Sequence, residues 1–191
     1  MAYIKVEVGL PGIMGLLEYR LDTAQPIREL THLLLRGPST LTQGDRELIA
    51  TIVSHGNECT FCATAHTAAA DLLLGDEKTT AEVKRSIDDA PVSSKMKALL
   101  KIASKVRESG RLVTDEDVAA ARKEGATDRE IHDTVLIAAL FCLYNRYVDG
   151  LNSWTPKDPE FYKILADRIV NRGYIRPDGG YKNLKYKEPS E

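Results

Sequence analysis

The sequence predicts an all-α fold, and three observations predict it. Apolar residues recur three and four positions apart along most of the chain, and segment after segment opens on a threonine followed three residues later by an acidic residue. No stretch beyond the first ten residues sustains the alternation of a strand. A first short helix is expected over residues 13–20, after Pro11-Gly12. A second is expected over 26–36, where Ile27, Leu30, Leu33 and Leu34 form an apolar stripe and Gly37-Pro38 stops it. Thr42 with Asp45 resembles a capping box, opening a third helix through about His55 that carries Leu48, Ile49, Ile52 and Val53. Gly56-Asn57 interrupts it, so a fourth helix is expected from Glu58 through the small-residue run 63–70 to Gly75. Thr79 with Glu82, Thr114 with Asp117 and Thr127 with Glu130 mark three further starts. Residues 95–107 add another helix, with Met96, Leu99, Leu100, Ala103 and Val106 at helical spacing. Asp158-Pro159 opens the last, with Phe161, Ile164, Leu165 and Ile169 inward and Gly173 beyond its end. After Gly173 the chain becomes polar and irregular up to Pro189, and Tyr174, Tyr181 and Tyr186 in it predict packing onto the rest of the molecule.

With 191 residues, 43% hydrophobic and 28% charged, the chain is sized for one compact unit with a sizeable core. A formal net charge of -2 gives no electrostatic footprint for nucleic acid or for an acidic membrane surface. The first residues lack a basic region followed by an apolar stretch and a cleavage site, so no secretory signal and a cytoplasmic location are expected. The longest apolar run, residues 134–144, is about half the ~20 residues a bilayer crossing takes, and it predicts a buried core helix. Three cysteines make no disulfide framework in a chain of this length; Cys142, alone in that apolar run, is expected as a small buried hydrophobe.

The remaining pair, Cys59-Thr60-Phe61-Cys62, carries the chemistry. Two cysteines at this spacing can close a disulfide without moving a fold, and only the thiolate is strongly nucleophilic. On one helix Cys59, Cys62 and His66 share a face, and a position in the first turns stabilises a thiolate through the unpaired N–H groups, most for Cys59. Glu47, on the preceding helix, reaches His66 if the two helices pack antiparallel, giving a relay from carboxylate to imidazole to thiol.

Glu47, eleven residues, Cys59-x-x-Cys62, three residues and His66 resemble the E-x11-C-x2-C-x3-H signature of the alkylhydroperoxidase D family, within the carboxymuconolactone decarboxylase superfamily. The lead-in Leu41–Ala50 is similar as well, and residues 127–152, with Asn145-Arg146 and Asp149, resemble the later helix of its peroxidase-related branch. The resemblance covers residues 38–152, leaving 1–37 as an N-terminal helical extension and 153–191 as a C-terminal helix and tail. It implies an all-α homo-oligomer that reduces hydroperoxides with thiols and needs neither cofactor nor metal. Within it Cys62 attacks the peroxide, Cys59 resolves the product as a disulfide, and His66 and Glu47 carry protons. The implied reductant is a lipoyl-type dithiol or a thioredoxin-like partner. Best-known members have histidine directly before the second cysteine, where this chain has Phe61.

Other readings of the same residues compete. His55, Cys59, Cys62 and His66 offer four zinc ligands, but on one helix the two histidines lie about 16 Å apart along the axis. His55 is expected as a helix C-terminal residue, and His32 and His132 as ordinary structural ones. Asn145, Arg146, Tyr147 and Asp149 end an apolar helix, where polar residues cap or meet a neighbouring subunit more often than they line a pocket. A redox-sensing or structural oligomer without turnover, and a decarboxylase of the wider superfamily, are the alternative functions.

Overall fold

The computed structural model describes residues 2–181 and 185–186. These form nine α-helices and no strand, so the all-α expectation holds. They are α1 (Ile13–Tyr19), α2 (Leu21–Arg36), α3 (Gln43–Gly56), α4 (Thr60–Leu74), α5 (Lys78–Arg85), α6 (Ser94–Glu108), α7 (Asp115–Lys123), α8 (Asp128–Gly150) and α9 (Pro159–Arg172). None of the described helices is long and apolar enough to cross a membrane.

The capping signals act as their chemistry dictates. Thr42 and Asp45 exchange side-chain-to-backbone hydrogen bonds at 3.0 Å each, and Thr127 does the same with Glu130. Two starts differ from expectation. Helix α2 begins a turn early, at Leu21, with Pro26 inside it; the carbonyl that loses a partner there belongs to exposed Asp22, where water serves. Helix α5 begins at Lys78 because Asp76, not Thr79, caps it, accepting from the backbone N–H groups of Lys78 and Thr79. Leu33 and Ile164, expected inward, are exposed, and Leu35 fills the core in place of Leu33.

Helix α3 runs through the middle, with ten of its fourteen residues buried. It packs against α4, α6 and α8, while α9 covers the outer side of α4. Arg46 ties α3 to the end of α2, donating to the carbonyls of Leu34 and Gly37 at 2.9 Å and so satisfying groups that a helix end leaves open. Beyond α9, Tyr174, Tyr181 and Tyr186 all pack against the hydrophobic core, as the tyrosines predicted. Residues 182–184 and 187–191 of the expected tail, Pro189 among them, lie outside the described residues.

Glu130 pins α8 to the base of the bundle. Its buried carboxylate accepts from Thr40, Lys95 and the Thr127 N–H, each at 2.8 Å. Burial opposes its charge, but those donors outweigh burial and bring its pKa down to about 2. A carboxyl depressed on folding stabilises above its unfolded pKa, and the contribution disappears as pH falls through the folded value. The urea midpoint is therefore expected to drop between about pH 4.5 and 2, by about 3 kcal/mol from this group, and Glu130→Gln to remove that part of the acid dependence.

Candidate active site

Helices α3 and α4 form a hairpin whose turn sets the thiols. Glu58 takes a left-handed backbone (φ 58), and the chain re-enters a helix only at Thr60. Cys59 is therefore the extended N-cap residue and Cys62 the third helical one, two positions later than the sequence placed the helix start. Both are free thiols, 0% and 3% exposed. The Cys59 thiol and Asn145 of α8 both act on the Cys62 thiol. The adjacent Cys59 sulfur and burial push the Cys62 thiol well above its ordinary value, outweighing Asn145. This reverses the expected lowering for Cys62: two neighbouring buried thiols do not both hold a charge, and desolvation outweighs the benefit of the helix end.

The antiparallel hairpin brings Glu47 to His66 directly, Oε2 to Nδ1 at 2.7 Å. The other carboxylate oxygen accepts from Arg36 of α2 at 2.6 Å and from the Tyr174 hydroxyl at 2.5 Å. Glu47 is wholly buried. Burial opposes its ionisation, but His66, Arg36 and Tyr174 hold its carboxyl below the ordinary range. Burial and the Glu47 charge push the Tyr174 phenol well up, which keeps it a donor. The edge of Phe141 meets the imidazole at 4.5 Å between centroids and fixes its plane. No hydrogen bond joins His66 to either sulfur among the described residues, so of the expected relay the structure assembles the carboxylate–imidazole half.

Cys62 and His66 share a cavity of about 70 Å³; Cys59 does not line it. Its apolar walls include Met14 and Leu17 of α1, Phe141 of α8, and Leu165 and Ile169 of α9, and Tyr174 and Tyr181 close it from the C-terminal segment. Thus both chain ends wall in a pair of groups that belong to the central hairpin. Phe61, between the cysteines, is buried and lines the same cavity. Its ring lies 6.4 Å from that of Phe161 and 6.0 Å from that of Tyr162, against Gly12, where a Cβ would meet it at 2.3 Å.

Arg36 went unnoticed in the sequence, and Tyr174 was expected to pack but not to bond Glu47, since a helix-end arginine and a tail tyrosine carry no spacing signal. Asn145, expected more as a cap than in a pocket, is buried beside the thiols and donates to Ser54 at 3.1 Å. Arg146 and Asp149 are exposed, and the Tyr147 hydroxyl bonds the Leu16 carbonyl. His55 ends α3, exposed, away from the cavity, and His132 is exposed beside Asp133; His32 accepts the Tyr174 N–H at 3.3 Å. Among the described residues no three His, Cys, Asp or Glu side chains are grouped to hold a metal. Cys142 is half-buried and takes a hydrogen bond from Asn57.

Residues 22–105 match the carboxymuconolactone decarboxylase family. No curated protein matches the chain. Among solved structures, an uncharacterized peroxidase-related protein from Ralstonia eutropha JMP134, described as an alkylhydroperoxidase AhpD core, is similar with a TM-score of 0.73. It is 25% identical, over 82% of this chain and 80% of its own. A peroxidase-related protein from Silicibacter sp. TM1040 gives 0.71 at 24% identity, over 77% of each chain. ATU0492 from Agrobacterium tumefaciens, of unknown function and put forward as an AhpD antioxidant-defence protein, gives 0.63 at 20% identity, over 81% of this chain and 100% of its own. The last two show a shared fold.

Proposed function

The chain carries a carboxymuconolactone decarboxylase family domain on an AhpD-like helical fold, and from that premise we propose that it is a thiol-dependent peroxidase that reduces hydroperoxides through Cys59 and Cys62. One observation carries the reading: a buried carboxylate holds His66 by Nδ1 at 2.7 Å, leaving its other ring nitrogen for the cavity that Cys62 lines.

His66 takes the proton of the Cys62 thiol, and the thiolate attacks the terminal oxygen of the hydroperoxide. The O–O bond breaks, the alcohol leaves with the proton returned by His66, and Cys62 is left as a sulfenic acid. Cys59 attacks that sulfur, water departs and the disulfide closes; an external dithiol or thioredoxin-like protein returns two electrons by exchange. The placement of both free, buried thiols at the start of α4 supports the resolving step. Glu47 stabilises the imidazolium formed in passing. No metal or organic cofactor enters these steps. The side chains of Leu33, Leu72, Leu143 and Ile164, exposed on the single chain, support a homo-oligomer, and the reductant is a cytoplasmic one.

One equivalent of tert-butyl hydroperoxide added to the reduced protein is expected to consume two of the three thiols and leave a species two hydrogens lighter, linked between Cys59 and Cys62. With a dithiol supplied, peroxide consumption continues. Disulfide formation without continued consumption would leave a redox switch and overturn the enzyme.

A further inference from the structure

The cavity that holds Cys62 has a second polar end, which the peroxidase steps do not use. Arg28 of α2 and Arg168 of α9 line it, with the Tyr181 ring between them; their guanidinium carbons lie 5.0 and 4.6 Å from the ring centroid. Both donate to the Tyr181 phenol oxygen, Arg168 at 3.2 Å. Arg28 is only 4% exposed, and the Nε of each arginine is buried without a hydrogen-bond partner among the described residues.

The charges here do not balance. Glu18 takes Arg28 at 2.9 Å, but the same carboxylate also takes Arg176 at 2.8 Å. Arg168 meets no carboxylate among the described residues, and its donors reach only the Ile175 carbonyl and the phenol. Among the described residues Arg28, Arg168 and Arg176 thus have one acid between them, and the first two line the apolar cavity. Buried cations with unfilled donors are costly unless an anion completes them. Two arginines converging on one neutral oxygen mark where that anion would sit, and their planar forks suit a carboxylate.

We propose that the cavity binds a small carboxylate-bearing substrate, its carboxylate on Arg28 and Arg168 in place of the Tyr181 phenol and its reactive end at Cys62. The carboxylate end stands on the arginines alone; that the reactive end is a hydroperoxide rests on the peroxidase reading above. The carboxylate exchanges no electrons, so the bond-making steps are unchanged.

Propanoate and propanamide have nearly the same shape and differ in charge, so calorimetric titration of the reduced full-length protein separates charge recognition from cavity filling. Propanoate is expected to bind at least about tenfold more tightly than propanamide or inorganic phosphate, and about tenfold more weakly to Arg168→Gln. That variant breaks no ion pair, and its unfolding midpoint reports whether it folds. Tyr181→Phe, which removes the competing oxygen, is expected to tighten propanoate about threefold. Equal binding of propanoate and propanamide, or propanoate binding unchanged in both variants, overturns the proposal. Selective propanoate binding in a protein that consumes no hydroperoxide overturns the peroxidase reading and leaves the carboxylate site standing; turnover without that selectivity does the reverse.

Discussion

Cys62→Ser is expected to lower the proposed hydroperoxide turnover by roughly a thousandfold or more, because a buried hydroxyl cannot take the place of a thiolate attacking peroxide oxygen. Cys59→Ser behaves differently. The first equivalent of peroxide is expected still to be reduced, the product to stop at a Cys62 sulfenic acid that dimedone traps, and no disulfide to follow. This variant also removes the main cause of the raised Cys62 thiol, so a pH titration of alkylation at Cys62 moves downward relative to the native protein. The two thiols are therefore separable by a burst, an adduct and a pH profile. If Cys62→Ser retained the burst, the roles assigned to the two sulfurs would be wrong.

Removing the Glu47 side chain has the largest expected effect on stability. Arg36, with its side chain 5% exposed, sits on a carboxylate that is 0% exposed, and both Tyr174 and His66 bond to the same group. Glu47→Ala leaves a buried cation and two polar groups without their partner, at an expected cost of about 3–5 kcal/mol, read as a fall in the urea midpoint. Glu47→Met combined with Arg36→Met recovers a large part of that loss, since no charge is then stranded. The carboxyl is depressed on folding, so its contribution is present above the unfolded pKa and is lost as pH falls through the folded value. A loss below about 1 kcal/mol in Glu47→Ala would show that water reaches Arg36.

How much of this was legible depends on how local the signal is. Caps are local, which is why Thr42, Asp158 and the start of α8 could be placed from spacing alone. The turn before Cys59 could not, because its left-handed residue is Glu58, a type that gives no hint of positive φ. The pairing of Glu47 with His66 was readable as a condition on helix packing, and the short hairpin meets it. Arg28, Arg168 and Tyr174 reach the cavity, and Arg36 reaches Glu47, from segments far apart in sequence, so no spacing announces them. The direction of the Cys62 shift was misjudged for a related reason: helix ends are visible in a sequence, whereas desolvation and the effect of a neighbouring buried thiol are properties of the packed interior.

Phe61 and Gly12 fit as a bolt fits its socket. Gly12 donates to the Trp154 carbonyl at 2.8 Å and accepts from the Ser153 hydroxyl at 2.8 Å, and no side chain larger than hydrogen leaves room for the ring. A histidine at position 61 would set an imidazole among the rings of Phe161 and Tyr162, hard against Gly12. The ring between the cysteines thus latches the amino-terminal segment to the hairpin that carries both thiols, and any side chain at position 12 would prise the two apart.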